Sequence, residues 1–207
     1  MKTPVMKAHT RSRQAILDAL DSSPTTVPPL PELDVQQLTT FDDPLGQFIQ
    51  SLAFVGGEAH VIDRPEKAYE ILSGIPAFSN AKQIASVVPE AVQGNVDAAS
   101  FEDPHALSGL DWTIARGEFM VAENGAIWVD GETLPHRVMI FIAQYLAIVV
   151  PRGQIVCNMH QAYERVGKVN AAFGIFVSGP SKTADIEQSL VLGAHGCRKL
   201  QVFIVGE

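Results

Sequence analysis

The stretch Val177-Ser178-Gly179-Pro180-Ser181-Lys182-Thr183-Ala184-Asp185-Ile186-Glu187 is the part of the sequence that most strongly indicates the fold. It lies between an apolar run at 173–177 and an amphipathic segment at 186–192. A buried strand that leads through a Gly/Pro/Ser loop into a helix leaves free backbone N–H groups at the start of that helix, where an anion can bind. The sequence therefore predicts a carboxylate- or phosphate-binding loop here.

Several residues of this loop suit that task. Gly179 permits a close approach of the backbone, Pro180 stiffens the loop, and Lys182 places a cation beside the positive end of the predicted helix dipole. Ser181 or Thr183 is expected to cap the helix. Ordinary strand–loop–helix punctuation is the alternative explanation. The candidate ligand-binding residues of the loop are Ser178, Gly179, Pro180, Ser181, Lys182, Thr183 and Asp185.

Outward from the loop, the second half of the chain alternates between strand and helix patterns. Strands are predicted at 145–150, 173–177 and 200–205, with a helix at 154–166 and a second helix after the loop. Alternating units of this kind predict an α/β fold with a mainly parallel sheet covered by helices.

The first half of this region carries local signals of the same kind. Asp43-Pro44 predicts the start of a helix that Gly56-Gly57 ends, and a strand follows at 58–62. Asp63-Arg64-Pro65-Glu66 has the spacing of a capping box before another helix. Farther along, a strand is predicted at 83–88, and the runs 118–122 and 126–129 predict a hairpin.

Residues 1–40 are predicted to form a separate arm, and residues 41–207 the α/β domain. Thr10 is expected to cap a short helix, after which prolines 24, 28, 29 and 31 stop regular structure. The arm is either a mobile leader or a segment that packs on a partner subunit.

Composition limits the classes of function. The 207 residues carry a formal charge of −8, with 15 Lys and Arg against 23 Asp and Glu, and no basic stripe appears, which argues against nucleic-acid binding. No run approaches the ~20 apolar residues of a membrane span. Cys157 and Cys197 are too few for a disulfide framework or for the four thiolates of a typical iron–sulfur cluster. We expect a cytoplasmic, reduced protein.

The run from Val177 to Leu192-Gly193-Ala194-His195-Gly196 resembles the C-terminal signature of the lactate-utilization protein C family, also called LUD-domain proteins. The resemblance implies a NagB/RpiA/CoA-transferase-like fold. It also implies a bacterial component of an L-lactate oxidation system, in which lactate becomes pyruvate and iron–sulfur partner subunits carry the electrons. No cofactor is then expected on this chain itself.

The segment Glu123-Asn124-Gly125 predicts a tight turn, because both residues after the glutamate tolerate positive φ. It also resembles the active-site turn of one class of coenzyme A transferases, in which the glutamate is the nucleophile. Glu123 is therefore the candidate catalytic residue, and Asn124 and Gly125 are candidate ligand contacts. A solvated or structurally bonded glutamate is the alternative.

Two histidines complete the candidate site. His60 lies in the first predicted strand, and His195 lies between two glycines in a turn expected to reach the Gly179 loop beyond the carboxyl ends of the strands. A zinc site made of Cys157, His160, His195 and Cys197 is disfavoured, because the helix of His160 turns its neighbour Met159 towards the core and the family usually has proline in place of Cys197. No metal site is predicted.

Three functions remain open from the sequence. The first is a non-redox subunit of an iron–sulfur lactate oxidase, favoured by the lack of flavin, dinucleotide and cluster motifs. The second is a small-molecule enzyme that uses Glu123 on a coenzyme A thioester or a sugar phosphate. The third is a regulatory module that binds a carboxylate at the Gly179 loop.

Overall fold

The structure, a computed structural model, describes residues 6–22, 34, 37–167, 173–183, 191–193 and 195–206. The chain divides into two units, Met1–Gln36 and Gln37–Glu207. The first unit contains helix α1 (Met6–Asp21). Because this helix begins before Thr10, the prediction that Thr10 caps it is wrong. Residues 23–33 of the predicted proline-rich arm lie outside the described residues.

The larger unit consists of two main sheets, a short two-stranded ribbon and covering helices. The helices are α2 (Pro44–Phe54), α3 (Lys67–Ser73), α4 (Pro76–Ser79), α5 (Met139–Ile142) and α6 (Met159–Val166). The strands are β1 (Glu58–Ile62), β2 (Ile84–Ser86), β3 (Trp112–Arg116), β4 (Phe119–Val121), β5 (Ala126–Asp130), β6 (Tyr145–Pro151), β7 (Ile155–Val156), β8 (Gly174–Val177), β9 (Lys182–Thr183), β10 (Val191–Leu192) and β11 (Lys199–Val205).

The central sheet has five strands in the order β1-β11-β6-β3-β2, and every neighbouring pair is parallel. The predicted α/β class with a mainly parallel sheet is thus confirmed. Strand β6 has the burial of a central strand, since residues 146–150 are all buried, as expected when both faces of a parallel sheet are covered.

Helices and a second sheet cover the two faces of the central sheet. On one face, Leu72 of α3 and Phe78 of α4 pack with Trp112 and Phe203. On the other face, Leu52 of α2 joins residues of the second sheet and of β6 in a single apolar cluster. Burial of each large apolar side chain contributes ~1.5–3 kcal/mol, so these two interfaces dominate the stability of the domain.

The second sheet has the order β7-β4-β5-β8. Strands β4 and β5 form the predicted hairpin, and β8 pairs antiparallel with β5 instead of joining the parallel sheet. The predicted helix at 154–166 is wrong in its first turn, because Ile155-Val156 pair with β4 and the helix begins only after the Asn158 cap, whose side chain accepts from the backbone N–H of Gln161. Helix α6 covers the outer face through Ala162.

Local cap signals explain where α2 begins and why α3 departs from the prediction. The Asp43 carboxylate accepts a hydrogen bond from the backbone N–H of Gly46 at 3.0 Å, as the Asp-Pro sequence predicts. The predicted capping box before α3 is wrong. That helix has no side-chain cap, and Asp63 instead forms a 2.8 Å ion pair with Lys67.

Candidate functional site

The Glu123-Asn124-Gly125 segment forms the turn between β4 and β5, as predicted. Gly125 has a φ of 67°, and the Asn124 side-chain oxygen accepts a hydrogen bond from the backbone N–H of Ala126 at 3.1 Å. A Cβ atom at Gly125 would lie 2.6 Å from the backbone nitrogen of Leu52. The glycine is therefore required both by its conformation and by the close approach of α2.

Hydrogen bonds from three parts of the chain hold this turn in place. The Ser51 hydroxyl on α2 donates to the carbonyl of Ala122 at 2.8 Å, and the Ser178 hydroxyl donates to the carbonyl of Asn124 at 2.7 Å. The backbone N–H of Glu123 donates to the carbonyl of Cys157 at 3.1 Å. The backbone of Glu123 is thus fixed while its side chain points into solvent.

The Glu123 side chain lies at a cleft of about 540 Å³ between α2 and the turn. It is exposed, and no described residue forms a hydrogen bond or an ion pair with its carboxylate. Amide side chains and an aromatic ring line the rest of the cleft, namely Gln47, Gln50, Asn124 and Phe54. Phe54 is 90% exposed, so nearly all of its side chain is accessible to a ligand in the cleft.

This arrangement offers a carboxylate with neighbouring hydrogen-bond donors. Because the Asn124 side-chain oxygen already accepts from Ala126, its NH₂ group is the part left to donate to a ligand. Gln47 donates to the Ser51 hydroxyl at 3.0 Å, so it is partly engaged in holding the turn. The volume falls within the ~300–1,000 Å³ of small-molecule sites. The cleft can therefore accept a proton, bind a donor group or present a nucleophile.

The Gly179 loop has the predicted close approach of the backbone, and most of the helix predicted after it, residues 184–190, lies outside the described residues. Gly179 has a φ of 74°, and a Cβ there would lie 2.5 Å from the carbonyl oxygen of Val55. Beyond the loop, Lys182-Thr183 form β9, which pairs antiparallel with β10 at Val191-Leu192. Because 182–183 and 191–192 are strands, Ser181 does not cap a helix, and the predicted helix does not extend to Val191-Leu192. Whether Thr183 caps a helix depends on residues outside the described part of the chain, so the helix-dipole argument for anion binding stays a prediction. Asp185 lies outside the described residues.

The loop was predicted to lie beyond the carboxyl ends of the parallel strands, but it lies at the amino end of the central sheet. The backbone N–H of Ser181 donates to the carbonyl of Cys197 at 2.9 Å, just before β11 begins, so the loop is beside the amino end of that strand. The carboxyl end of β3 carries Arg116 instead, and Glu90 pairs with it at 2.6 Å. Arg116 belongs to no part of the predicted site.

The two candidate histidines have different surroundings. The ring of His60 stacks on Phe203 with centroids 5.1 Å apart, and its Nε2 lies 2.6 Å from the side-chain oxygen of Gln201. His60 is thus a packed residue of β1 and does not line the Glu123 cleft. His195 is exposed, and the backbone N–H of Gly193 donates to the carbonyl of Ser181 at 3.0 Å, which brings the His195 turn beside the loop as predicted.

The two cysteines differ in burial. Cys197 is buried at 5% exposure, and this burial raises the pKa of its thiol above the ordinary value, whereas Cys157 is half-buried. Across the described ranges of the chain, no group of three or more His, Cys, Asp or Glu side chains is arranged to hold a metal ion. In the same residues, no helix is both long and apolar enough to cross a membrane.

Two groups of site residues were not predicted from the sequence. The first is the α2 wall of the cleft, where Phe54 lies off the apolar face formed by Phe48 and Leu52. A large apolar residue on the polar side of an amphipathic helix was the available signal. The second is Arg198-Lys199, a basic pair at the start of a buried strand, which lines a cavity together with Lys182.

These features define an α/β protein with a parallel five-stranded sheet and a small-molecule-sized cleft at a Glu-Asn-Gly turn. The chain belongs to the LUD domain family, whose family model matches residues 74–205. The matched segment includes the Glu123 turn and the Gly179 loop, while the α2 wall of the cleft precedes it.

Relatives and a solved structure agree with this membership. Lactate utilization protein C from Geobacillus kaustophilus (strain HTA426) is 30% identical over 168 residues, and that from Geobacillus thermodenitrificans (strain NG80-2) is 32% identical over 165 residues. Each match covers 75% of this chain and 65% of the relative's length. The chain is also similar to the crystal structure of a DUF162 family protein from Deinococcus radiodurans, with a TM-score of 0.55 and 20% sequence identity. The superposition covers 79% of this chain and 97% of the Deinococcus chain. It supports the fold alone.

Proposed function

We propose that this chain acts in bacterial lactate utilization, as a subunit of a system that oxidises L-lactate to pyruvate. The observation that carries the proposal is the similarity to relatives named Lactate utilization protein C over 75% of the chain. The Glu123 cleft supports it, since it gives the subunit a fixed turn with an unpaired carboxylate.

In this proposal the chain is a non-redox subunit, and iron–sulfur clusters belong to its partner subunits. The 207 residues contain two cysteines, and a typical cluster takes four thiolates. The buried Cys197 thiol has a raised pKa, which disfavours the thiolate form that ligates iron. The electrons from lactate therefore pass to the partners.

The cleft itself is an unsuitable site for lactate alone. Two carboxylates at close range repel each other, and among the described residues no cation lines the cleft to offset the charge of Glu123. Glu123 is better suited to accept a hydrogen bond from a ligand hydroxyl or from a partner's donor group. We therefore place Glu123 in a supporting role within the assembled system.

A growth experiment in the native host tests this proposal. Deletion of the gene should abolish growth on L-lactate as sole carbon source and leave growth on pyruvate unchanged, and a plasmid copy should restore it. A Glu123→Gln copy should restore growth poorly, whereas Glu132→Gln, an exposed glutamate beyond the opposite end of β5, should restore it fully. Normal growth of the deletion strain on lactate would contradict the proposal.

The exposed carboxylate also supports a second candidate, an enzyme that acts on an acyl thioester. The Glu123 carboxylate would attack the thioester carbonyl and release a thiolate, which leaves an acyl anhydride on the glutamate. The NH₂ group of Asn124, whose side-chain oxygen is already engaged by the N–H of Ala126, would donate to the developing oxyanion. Incubation of the purified chain with acetyl-CoA and hydroxylamine, followed by mass spectrometry of the Glu123 peptide, tests this step. An unmodified peptide in both wild type and Glu123→Gln would eliminate it.

A further inference from the structure

A second cavity, of about 500 Å³, opens at the amino ends of β1 and β11. Three cationic side chains line it, Lys182, Arg198 and Lys199, together with one carboxylate, Glu58. The charged lining sums to +2 (three cations less one carboxylate), in a chain whose formal charge is −8. Three of the 15 basic residues therefore converge on one cavity of an acidic protein.

The cations of this cavity are not neutralised by their surroundings. None of the three forms an ion pair with any residue that the structure describes. The carboxylate, Glu58, is engaged instead by Gln201, whose side-chain N–H donates to it at 2.9 Å. Like charges that line one cavity repel one another, so an anion bound among them would relieve that repulsion.

Two glycines position the cationic side chains. Gly193 has a φ of 75°, and a Cβ there would lie 2.3 Å from Cγ of Arg198, so the arginine stem crosses the glycine where no other residue would fit. Gly56 has a φ of 87°, and Cε of Lys182 lies 3.8 Å from the position of its missing Cβ. Close packing of a stem reduces the side-chain freedom that ligand binding would otherwise remove.

The backbone around the cavity is also tied together. Lys182 is a member of β9 and is paired with Leu192 of β10. The backbone N–H of Ser181 donates to the carbonyl of Cys197, and that of Arg198 donates to the carbonyl of Gln144 at 2.7 Å. The loop that carries Lys182 and the segment that carries Arg198 are thus joined directly, so the backbone positions from which the cationic side chains extend are fixed relative to one another.

We propose that this cavity binds a phosphorylated small molecule, with the phosphate held by Lys182, Arg198 and Lys199 and a hydroxyl group of the ligand donating to Glu58. A phosphate dianion matches the +2 charge of the lining, and arginine holds phosphate oxygens through two parallel N–H groups. A neutral sugar has no negative charge to offset the three cations. A monocarboxylate such as lactate carries a charge of −1, half that of a phosphate dianion. This cavity shares no lining residue with the Glu123 cleft.

Isothermal titration calorimetry with the full chain tests the proposal, with ribose 5-phosphate, ADP, inorganic phosphate, ribose and lactate as probes. We expect binding of ribose 5-phosphate or ADP that weakens as salt rises, because salt screens exposed charges. Arg198→Ala and Lys199→Ala should each weaken it about 10-fold or more, the usual effect of removing a hydrogen bond to a charged group. Lys82→Ala, an exposed lysine elsewhere, is the matched control and should bind as wild type.

Three results would overturn the proposal. One is the absence of binding by every phosphorylated probe at millimolar concentration. Another is binding that is equal for ribose 5-phosphate and lactate. The third is binding that neither Arg198→Ala nor Lys199→Ala weakens in variants whose melting temperature matches wild type. Because Arg198 and Lys199 are exposed, at least one of the two variants is expected to fold.

Discussion

Replacement of Gly125 by alanine should strongly destabilise the domain. The added Cβ would lie 2.6 Å from the nitrogen and 2.7 Å from the Cα of Leu52, both backbone atoms of α2 that no side-chain rotation can move away. The positive φ of Gly125, 67°, adds a conformational cost for any residue with a Cβ. The turn and α2 would have to separate.

The size of the effect follows from these two terms. A left-handed conformation costs a residue with a Cβ ~1–2 kcal/mol. Overpacking against a fixed neighbour costs ~1–3 kcal/mol. The Gly125→Ala variant should therefore lose ~2–5 kcal/mol of unfolding free energy, a large share of the ~5–15 kcal/mol that is typical of a domain.

Urea denaturation followed by circular dichroism measures this loss. With a slope of ~2 kcal/mol per molar urea, the Gly125→Ala midpoint should fall by about 1 M or more. The matched control is Gly153→Ala, since a Cβ at Gly153 meets nothing within 4 Å and its φ is not positive. That variant should stay within ~0.5 kcal/mol of wild type or gain stability. Equal stability of the two variants would refute the argument that α2 is packed on the turn.

Two further predictions concern cysteine reactivity and tryptophan burial. Because burial raises the pKa of the Cys197 thiol, iodoacetamide at neutral pH should label Cys157 and leave Cys197 unmodified until the protein is unfolded. Mass spectrometry measures the labelling, and equal labelling of the two cysteines would contradict the burial of Cys197. Trp112→Phe should cost more stability than Trp128→Phe, since the Trp112 indole N–H donates to the carbonyl of Ala77 at 3.1 Å while the buried Trp128 N–H has no described partner. The expected difference is ~1 kcal/mol, measured by urea denaturation, and the reverse order would count against it.

Most of the helix starts and tight turns that depend only on neighbouring residues were predicted correctly from the sequence. Asp43-Pro44 begins α2, and Asn124-Gly125 forms the hairpin turn. These features are local because a cap or a tight turn is made by atoms within about four residues of one another. The capping box predicted at Asp63 does not form, because the Asp63 carboxylate forms an ion pair with Lys67, which is also only four residues away.

Elements that depend on distant partners were less predictable. Ile155-Val156 fit the apolar face of a helix as well as a short strand, and pairing with β4 decided between them. Likewise, Lys182-Thr183 became a strand because Val191-Leu192 lie alongside. The pattern of apolar residues within either segment does not indicate that a partner strand will lie beside it.

The sequence by itself determined the α/β class, the positions of most strands along the chain and the turn that carries Glu123, because each follows from apolar periodicity and turn chemistry within a short stretch. Only the tertiary structure decided what faces that turn. The hydrogen bond from Ser51 to Ala122 joins residues 71 positions apart. The cavity lined by Lys182 and Arg198 likewise lies between two segments that a backbone hydrogen bond holds together. Such contacts arise when separate elements pack on one core, and packing depends on the whole chain at once.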